Sequence, residues 1–187
     1  MKSIIERHAD NFPITDEEYK QLDANFTKLC WHASHDLKRK NSQNNFIDDP
    51  EDIKQELCMS MWQAGIYHKR QTYIEKCLNA VKKFAKDEFM KAIIVQLDNL
   101  WQNRKRHGAG KQKFGDFQEQ LLERIVRRIV PKSERPDKKA PLVIDEKFST
   151  YCKSIVWNKQ KQTGKKISKE KVIRNGMISL SENDHLI

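Results

Sequence analysis

A chain of 187 residues with a formal net charge of +10, a third of them charged and 37% hydrophobic, is long enough for one full core or a core with a smaller appendage. No apolar run approaches the roughly 20 residues of a membrane span, and Met1-Lys2-Ser3-Ile4-Ile5-Glu6 lacks a signal-peptide core. The expectation is therefore an intracellular protein with no membrane partner. The charge is unevenly spread: residues 1–94 hold 15 Lys+Arg against 15 Asp+Glu, and residues 95–187 hold 21 against 11. An excess confined to one half points to an anionic partner, most simply nucleic acid, with a merely soluble basic surface as the alternative.

Residues 1–16 read as a lead-in ending at Pro13. Thr15 and Glu18 have the spacing of a capping box, which starts a helix near Asp16. Tyr19, Leu22, Phe26, Leu29, Ala33 and Leu37 then recur at helical steps as far as Lys40, with Trp31, His32 and His35 mostly off the stripe. Asn41-Ser42-Gln43-Asn44-Asn45 is loop chemistry. A second helix opens with Asp49 as cap, Pro50 at the first helical position, and Glu51 and Asp52 at the positive end of the dipole. Ile53, Leu57, Met61 and Ala64 form its apolar face, leaving Asp52, Gln55, Glu56 and Gln63 on the rest of its surface. Gly65 reads as its stop, and residues 65–71 as a short connection. A third helix from about Thr72 to Lys91 presents Tyr73, Cys77, Val81, Phe84 and Ala85 on one side, and residues 92–103 prolong or follow it.

Arg104-Lys105-Arg106 begins a basic, glycine-punctuated loop that runs to Lys113. No Gly-Lys-Ser/Thr opens a helix there, so it is not a nucleotide phosphate loop, and its expected role is contact with a DNA backbone. A fourth helix spans about Asp116 to Val130, with Phe117, Leu121, Leu122, Ile125, Val126 and Ile129 on its apolar face and Arg124, Arg127 and Arg128 in its C-terminal half. Residues 131–141, rich in proline and lysine, read as an extended linker and the clearest boundary in the chain. Beyond it, Tyr151, Lys153, Trp157, Lys159 and Lys161 alternate aromatic surface with positive charge, a pattern that suits nucleic acid, while Phe148, Ile155 and Val156 pack. Residues 163–176 give a Ser-capped short helix with no recognition helix after it.

The order Glu51-Asp52-Ile53-Lys54-Gln55-Glu56, followed by an apolar face and Trp62-Gln63-Ala64, resembles the polymerase-binding helix in region 2 of bacterial sigma factors, and the related Lys-Gln-Glu-Met helix of phage late sigma factors. The resemblance covers roughly residues 17–91. It implies that Glu51, Asp52, Gln55 and Glu56 face a basic surface on core RNA polymerase. It also implies that Tyr73, Lys76, Asn79, Lys82 and Lys83 open and grip a promoter −10 element, the alternative being a core tyrosine with solvated lysines. Phe148-Ser149-Thr150-Tyr151, followed by Trp157, is similar to the sigma promoter-melting segment. In the family that segment follows the acidic helix by about a dozen residues, whereas here the gap exceeds eighty. Either an insertion separates the two parts, or Tyr73 holds the melting position.

Cys30, Cys58, Cys77 and Cys152 form no Cys-x-x-Cys pair and read as reduced thiols, three of them on apolar helix faces. No metal-ligand spacing, nucleophile elbow or dinucleotide fingerprint is present, and pairing Cys152 with His107 or His32 as nucleophile and base finds no support in spacing. The expectation is thus an all-α, sigma region 2-like helical bundle with a basic helical C-terminal extension, without cofactor, metal or catalytic residue. Its segments are a lead-in (1–16), a sigma-like domain (17–94), a basic loop and helix (95–130), the linker (131–141) and a basic aromatic segment (142–187). As function it suggests a phage-encoded transcription initiation factor in the cytoplasm of a bacterial host, with core RNA polymerase and promoter DNA as partners. No second promoter-reading domain is evident, so specificity rests on the −10 region or an accessory phage factor. The rivals are a DNA-binding regulator that never touches polymerase and a nucleic-acid-processing enzyme.

Overall fold

The computed structural model describes residues 9–40, 50–103, 114–158, 161–162 and 165. Every regular element among them is helical, so the chain is all-α. Helix α1 is Asp16–Lys40, α2 is Pro50–Phe84, α3 is Glu88–Gln102 and α4 is Asp116–Ile129. A 3-10 turn at Lys132–Glu134 follows, and residues 146–158 form α5.

Local chemistry explains the helix starts. At α1 the Thr15 backbone N–H donates to Glu18 Oε2 at 2.8 Å while the Glu18 N–H donates to Thr15 Oγ1 at 3.3 Å, the reciprocal capping box its sequence predicts. Asp87 caps α3 by accepting from the Met90 N–H at 3.1 Å, and Asp145 caps α5 by accepting from the Phe148 N–H at 2.7 Å. At α4 the Gly115 N–H donates to the Gln118 side chain at 3.0 Å.

Helix α2 departs from expectation. It runs unbroken for 35 residues through Gly65, so the predicted stop and the connection 65–71 do not exist. A glycine inside a helix costs about 1 kcal/mol relative to alanine, and its reason here is space. A Cβ on Gly65 would stand 3.2 Å from Ile14 Cδ1 and 3.3 Å from Leu22 Cδ1. The glycine lets side chains approach the helix backbone and does not end it. The real break comes at Ala85–Asp87, ahead of α3.

The described chain divides into two compact units, and they interleave along the sequence. One comprises Met1–Pro13 and Ile66–Pro141, the other Ile14–Gly65 and Leu142–Ile187. In the second unit, Leu22, Phe26, Cys30, Ala33 and Leu37 of α1 pack with Ile53, Leu57, Met61 and Ala64 of α2 and with Leu142, Phe148, Cys152 and Val156. Phe26 meets Phe148 edge to face at 6.1 Å. The buried Glu18 carboxylate also accepts the Leu142 N–H, tying the start of α1 to the return of the chain. Through residue 158, then, the C-terminal segment contributes core side chains to this unit.

The first unit is built on Phe12, Tyr73, Ile74, Cys77, Leu78 and Val81, with Ile94, Leu97 and Trp101 of α3 and Leu122, Ile125 and Val126 of α4 also buried in it. Trp101 meets Phe114 at 5.1 Å, and Arg70 Nη2 pairs with Glu119 at 2.7 Å with both side chains largely enclosed. Lys69 Nζ, itself buried, donates to the Pro13 carbonyl at 2.7 Å. Residues 131–141 belong to this unit and are held at several points. Arg135 donates to the carbonyls of Val130 (3.0 Å) and Arg127 (2.6 Å), Lys138 pairs with Glu123 at 2.5 Å, and Glu134 pairs with Lys83 at 2.5 Å. The expected extended linker is instead an anchored strap containing a 3-10 turn. Its prolines forbid a regular helix, but Glu134, Arg135 and Lys138 find partners.

Candidate functional site

The first half of α2 separates its chemistry by face. Ile53, Leu57, Met61 and Ala64 are buried, and Asp52, Gln55 and Glu56 are exposed. Asp52, Gln55, Glu56, Met59, Ser60 and Gln63 line one shallow, open depression along the helix. Positions 52, 56, 59 and 63 fall on a single outward row, as helical spacing requires. Met59 is 56% exposed and sets an apolar, adaptable side chain amid carboxylates and amides. Sequence reasoning missed Met59, although its place between Glu56 and Gln63 at steps of three and four was available. Glu51 stands apart, paired with Lys54 of the same helix at 3.0 Å; that contact raises the lysine's pKa through the hydrogen bond and charge of Glu51.

The same unit carries α5. Its inward residues Phe148, Cys152 and Val156 leave Tyr151 (44% exposed), Lys153 and Trp157 (60% exposed) accessible. Lys161 Nζ stands 5.7 Å from the centre of the Trp157 ring, within cation–π range. A half-exposed indole with an ammonium beside it can stack an unpaired base and approach its phosphate. Lys159, Arg104, Lys105 and Arg106 lie outside the described residues, as does most of the 163–176 segment.

The other unit holds the remaining residues expected to contact DNA, and of these Tyr73 is buried. Its ring lies 5.5 Å from that of Phe12, with Lys138 Nζ 5.5 Å from its centre. Burial pushes its phenol pKa upward, with the neighbouring Cys77 adding to the shift. A ring enclosed in this way has little face to offer a base, and Tyr73 is a core residue, the alternative its sequence left open. Lys82 pairs with Asp98 at 2.8 Å, and Lys83 pairs with Glu134 while lying over the Phe84 ring. Lys76 and Asn79 are exposed. Phe117, expected on the apolar face of α4, is 71% exposed, and Glu119 is buried against Arg70 in its stead.

Nothing in the described residues assembles a catalytic centre from the cysteines. Burial raises the Cys30, Cys77 and Cys152 thiols from an ordinary value near 9 to about 12, with neighbouring thiols adding to the shift at Cys30. At neutral pH such groups are protonated and poor nucleophiles. No group of three or more His, Cys, Asp or Glu among the described residues is placed to hold a metal ion, and no described helix is long and apolar enough to cross a membrane. No family model, curated protein or solved structure matches the chain.

Proposed function

We propose that this protein is a sigma-like transcription initiation factor that docks on core RNA polymerase through the outward row of α2 and engages promoter DNA through α5. The observation that carries this reading is the interleaving of the two units. Asp52, Gln55 and Glu56 share a compact unit with the Phe148–Tyr151 segment and Trp157, although more than eighty residues lie between them in sequence. Ile66–Pro141, which belongs to the other unit, accounts for the gap. Of the two explanations for the displaced melting segment, an insertion is favoured, because Tyr73 is buried. The work then divides between an acidic surface with an apolar anchor for recruitment and an aromatic, cationic surface for unpaired DNA.

The test is retention of core RNA polymerase by the tagged full chain. Asp52→Lys/Glu56→Lys should abolish most of the retention, and Met59→Ala should weaken it, with the folded state intact in both because all three residues are exposed. Equal retention by wild type and double variant would remove the sigma reading, and no retention by either would leave a DNA-binding regulator without polymerase contact. Metal-dependent cleavage of nucleic acid by the purified chain would point to the enzymatic rival.

A further inference from the structure

Helix α4 carries three acids and three arginines, Asp116, Glu119 and Glu123 against Arg124, Arg127 and Arg128; Asp116 stands exposed in the first turn, and the other two acids find partners beyond the helix. Glu119 turns inward to Arg70, and Glu123 meets Lys138 at 2.5 Å. Their counter-charges come from elsewhere in the chain, so the arginines of the same helix are left over. Arg124 and Arg128 are exposed and have no acidic partner among the described residues; Arg127, its side chain 74% exposed, reaches Glu123 only at 3.9 Å. On the same outward row, seven and eleven residues before Arg124 and Arg128, stands the ring of Phe117, 71% exposed.

The ordinary reason for arginine near a helix C-terminus is the unsatisfied carbonyls and the dipole, which act within the last turn. That role is already filled here. Arg135 donates to the carbonyls of Arg127 and Val130, and Arg124 lies more than a turn before the end of the helix. What remains is a row about 16 Å long by helical rise, aromatic at one end and guanidinium at the other. Guanidinium forks match phosphate oxygens, and an exposed aromatic ring stacks a base.

We propose that the outward face of α4, Phe117 with Arg124, Arg127 and Arg128, is a nucleic-acid surface additional to α5. It takes the sugar–phosphate backbone of a single strand on the arginines and an unpaired base on Phe117. The surface requires nothing of the polymerase contact on α2.

The experiment titrates the full chain with a fluorescent oligodeoxythymidylate over a range of salt. Single-strand binding loses about 0.7 in the slope of log K against log salt for each phosphate contact removed. Arg124→Gln/Arg127→Gln/Arg128→Gln should therefore flatten the slope by about 2, while the corresponding triple lysine variant, which keeps the charge, retains it. Phe117→Ala should weaken binding about 5- to 150-fold without changing the slope, because it removes a neutral group. Thermal melting of each variant confirms an intact fold, as all four positions are exposed. An unchanged slope in the glutamine variant, or unchanged affinity in Phe117→Ala, overturns the proposal. So does displacement of the oligonucleotide by polyglutamate at equal charge, which would assign the face to an acidic protein. A parallel Trp157→Ala/Lys161→Gln variant reports on α5 alone, so a failure of that surface is distinguishable from a failure of α4.

Discussion

The two halves of helix α2 are one continuous element with opposite electrostatic fates. From Pro50 to about Gln63 the outward positions hold Asp52, Gln55, Glu56 and Met59 in an open depression. From Lys69 to Lys83, cation after cation is engaged by another segment of the chain: Lys69 with the Pro13 carbonyl, Arg70 with Glu119, Lys82 with Asp98 and Lys83 with Glu134. Charge pattern alone makes both halves look like interaction surfaces. The difference is that most charges of the second half are engaged by distant segments of the fold, which makes them structural, while Asp52, Gln55 and Glu56 of the first half are exposed along the helix.

The strongest way to break this comparison is at Arg70–Glu119. Their side chains are only 13% and 11% exposed, so removing one partner leaves the other charge uncompensated away from water. Glu119→Ala should lower the unfolding free energy by about 3–5 kcal/mol, read by urea denaturation. A loss below about 1 kcal/mol, the range of exposed pairs, would mean that the second half of α2 is not committed to the interior. Next comes the junction of the halves. Gly65→Val should cost about 1–3 kcal/mol, because the new methyl groups meet Ile14 and Leu22, which are already at close approach to the backbone. Unchanged stability would show that the glycine's place has no packing reason.

How much of this was legible in sequence follows from which interactions are local. The α1 capping box, the inward faces of α1 from Leu22 onward and of the first half of α2, and the exposure of Asp52, Gln55 and Glu56 follow from periodicity and end chemistry within one helix, whereas Tyr19, expected on the α1 stripe, is 52% exposed. What escaped depends on residues distant in the chain. Gly65 reads as a stop unless Ile14 and Leu22 are known to lie against it, and Tyr73 stays open between a core ring and a DNA-stacking one unless Phe12 is known to cover it. Residues 131–141 read as a tether because nothing in their composition announces Lys83, Glu123 and the carbonyls ending α4 as anchors. Phe117 reads as core because an aromatic fits an apolar stripe better than Glu119 does, and only Arg70 makes the glutamate the buried residue.

The buried thiols sharpen the comparison at alkaline pH. Cys30, Cys77 and Cys152 are held protonated up to about 12, whereas in the unfolded chain they ionise near 9. Below pH 9 both states bind these protons, and the contribution to stability is fully present. Between about 9 and about 12 the unfolded state binds fewer protons, so stability falls as pH rises, by at most about 1.4 kcal/mol per pH unit for each thiol. Denaturation curves at about pH 8, 9 and 10 should show the decline steepening above 9. A Cys152→Ala variant should lose stability less steeply than wild type, even though its baseline is lower.

The smallest expected effect lies at Lys82–Asp98, and it is the most direct measure of how far the second half of α2 is committed to its own fold. The pair is 2.8 Å apart, with the side chains 45% and 24% exposed, so solvent and salt screen it. A double-mutant cycle with Lys82→Ala and Asp98→Ala should give a coupling of about 0.2–1 kcal/mol at low ionic strength that vanishes in about 1 M salt. Such a small value would mean that Lys82 is held only loosely and that phosphate can compete for it with Asp98. In that case Asp98→Asn should steepen the salt dependence of oligonucleotide binding by somewhat under one phosphate contact. A coupling above about 2 kcal/mol, with no change in that slope, would instead count Lys82 among the structural cations with Arg70, leaving Lys76 and Asn79 as the exposed polar positions of this half available to an outside partner.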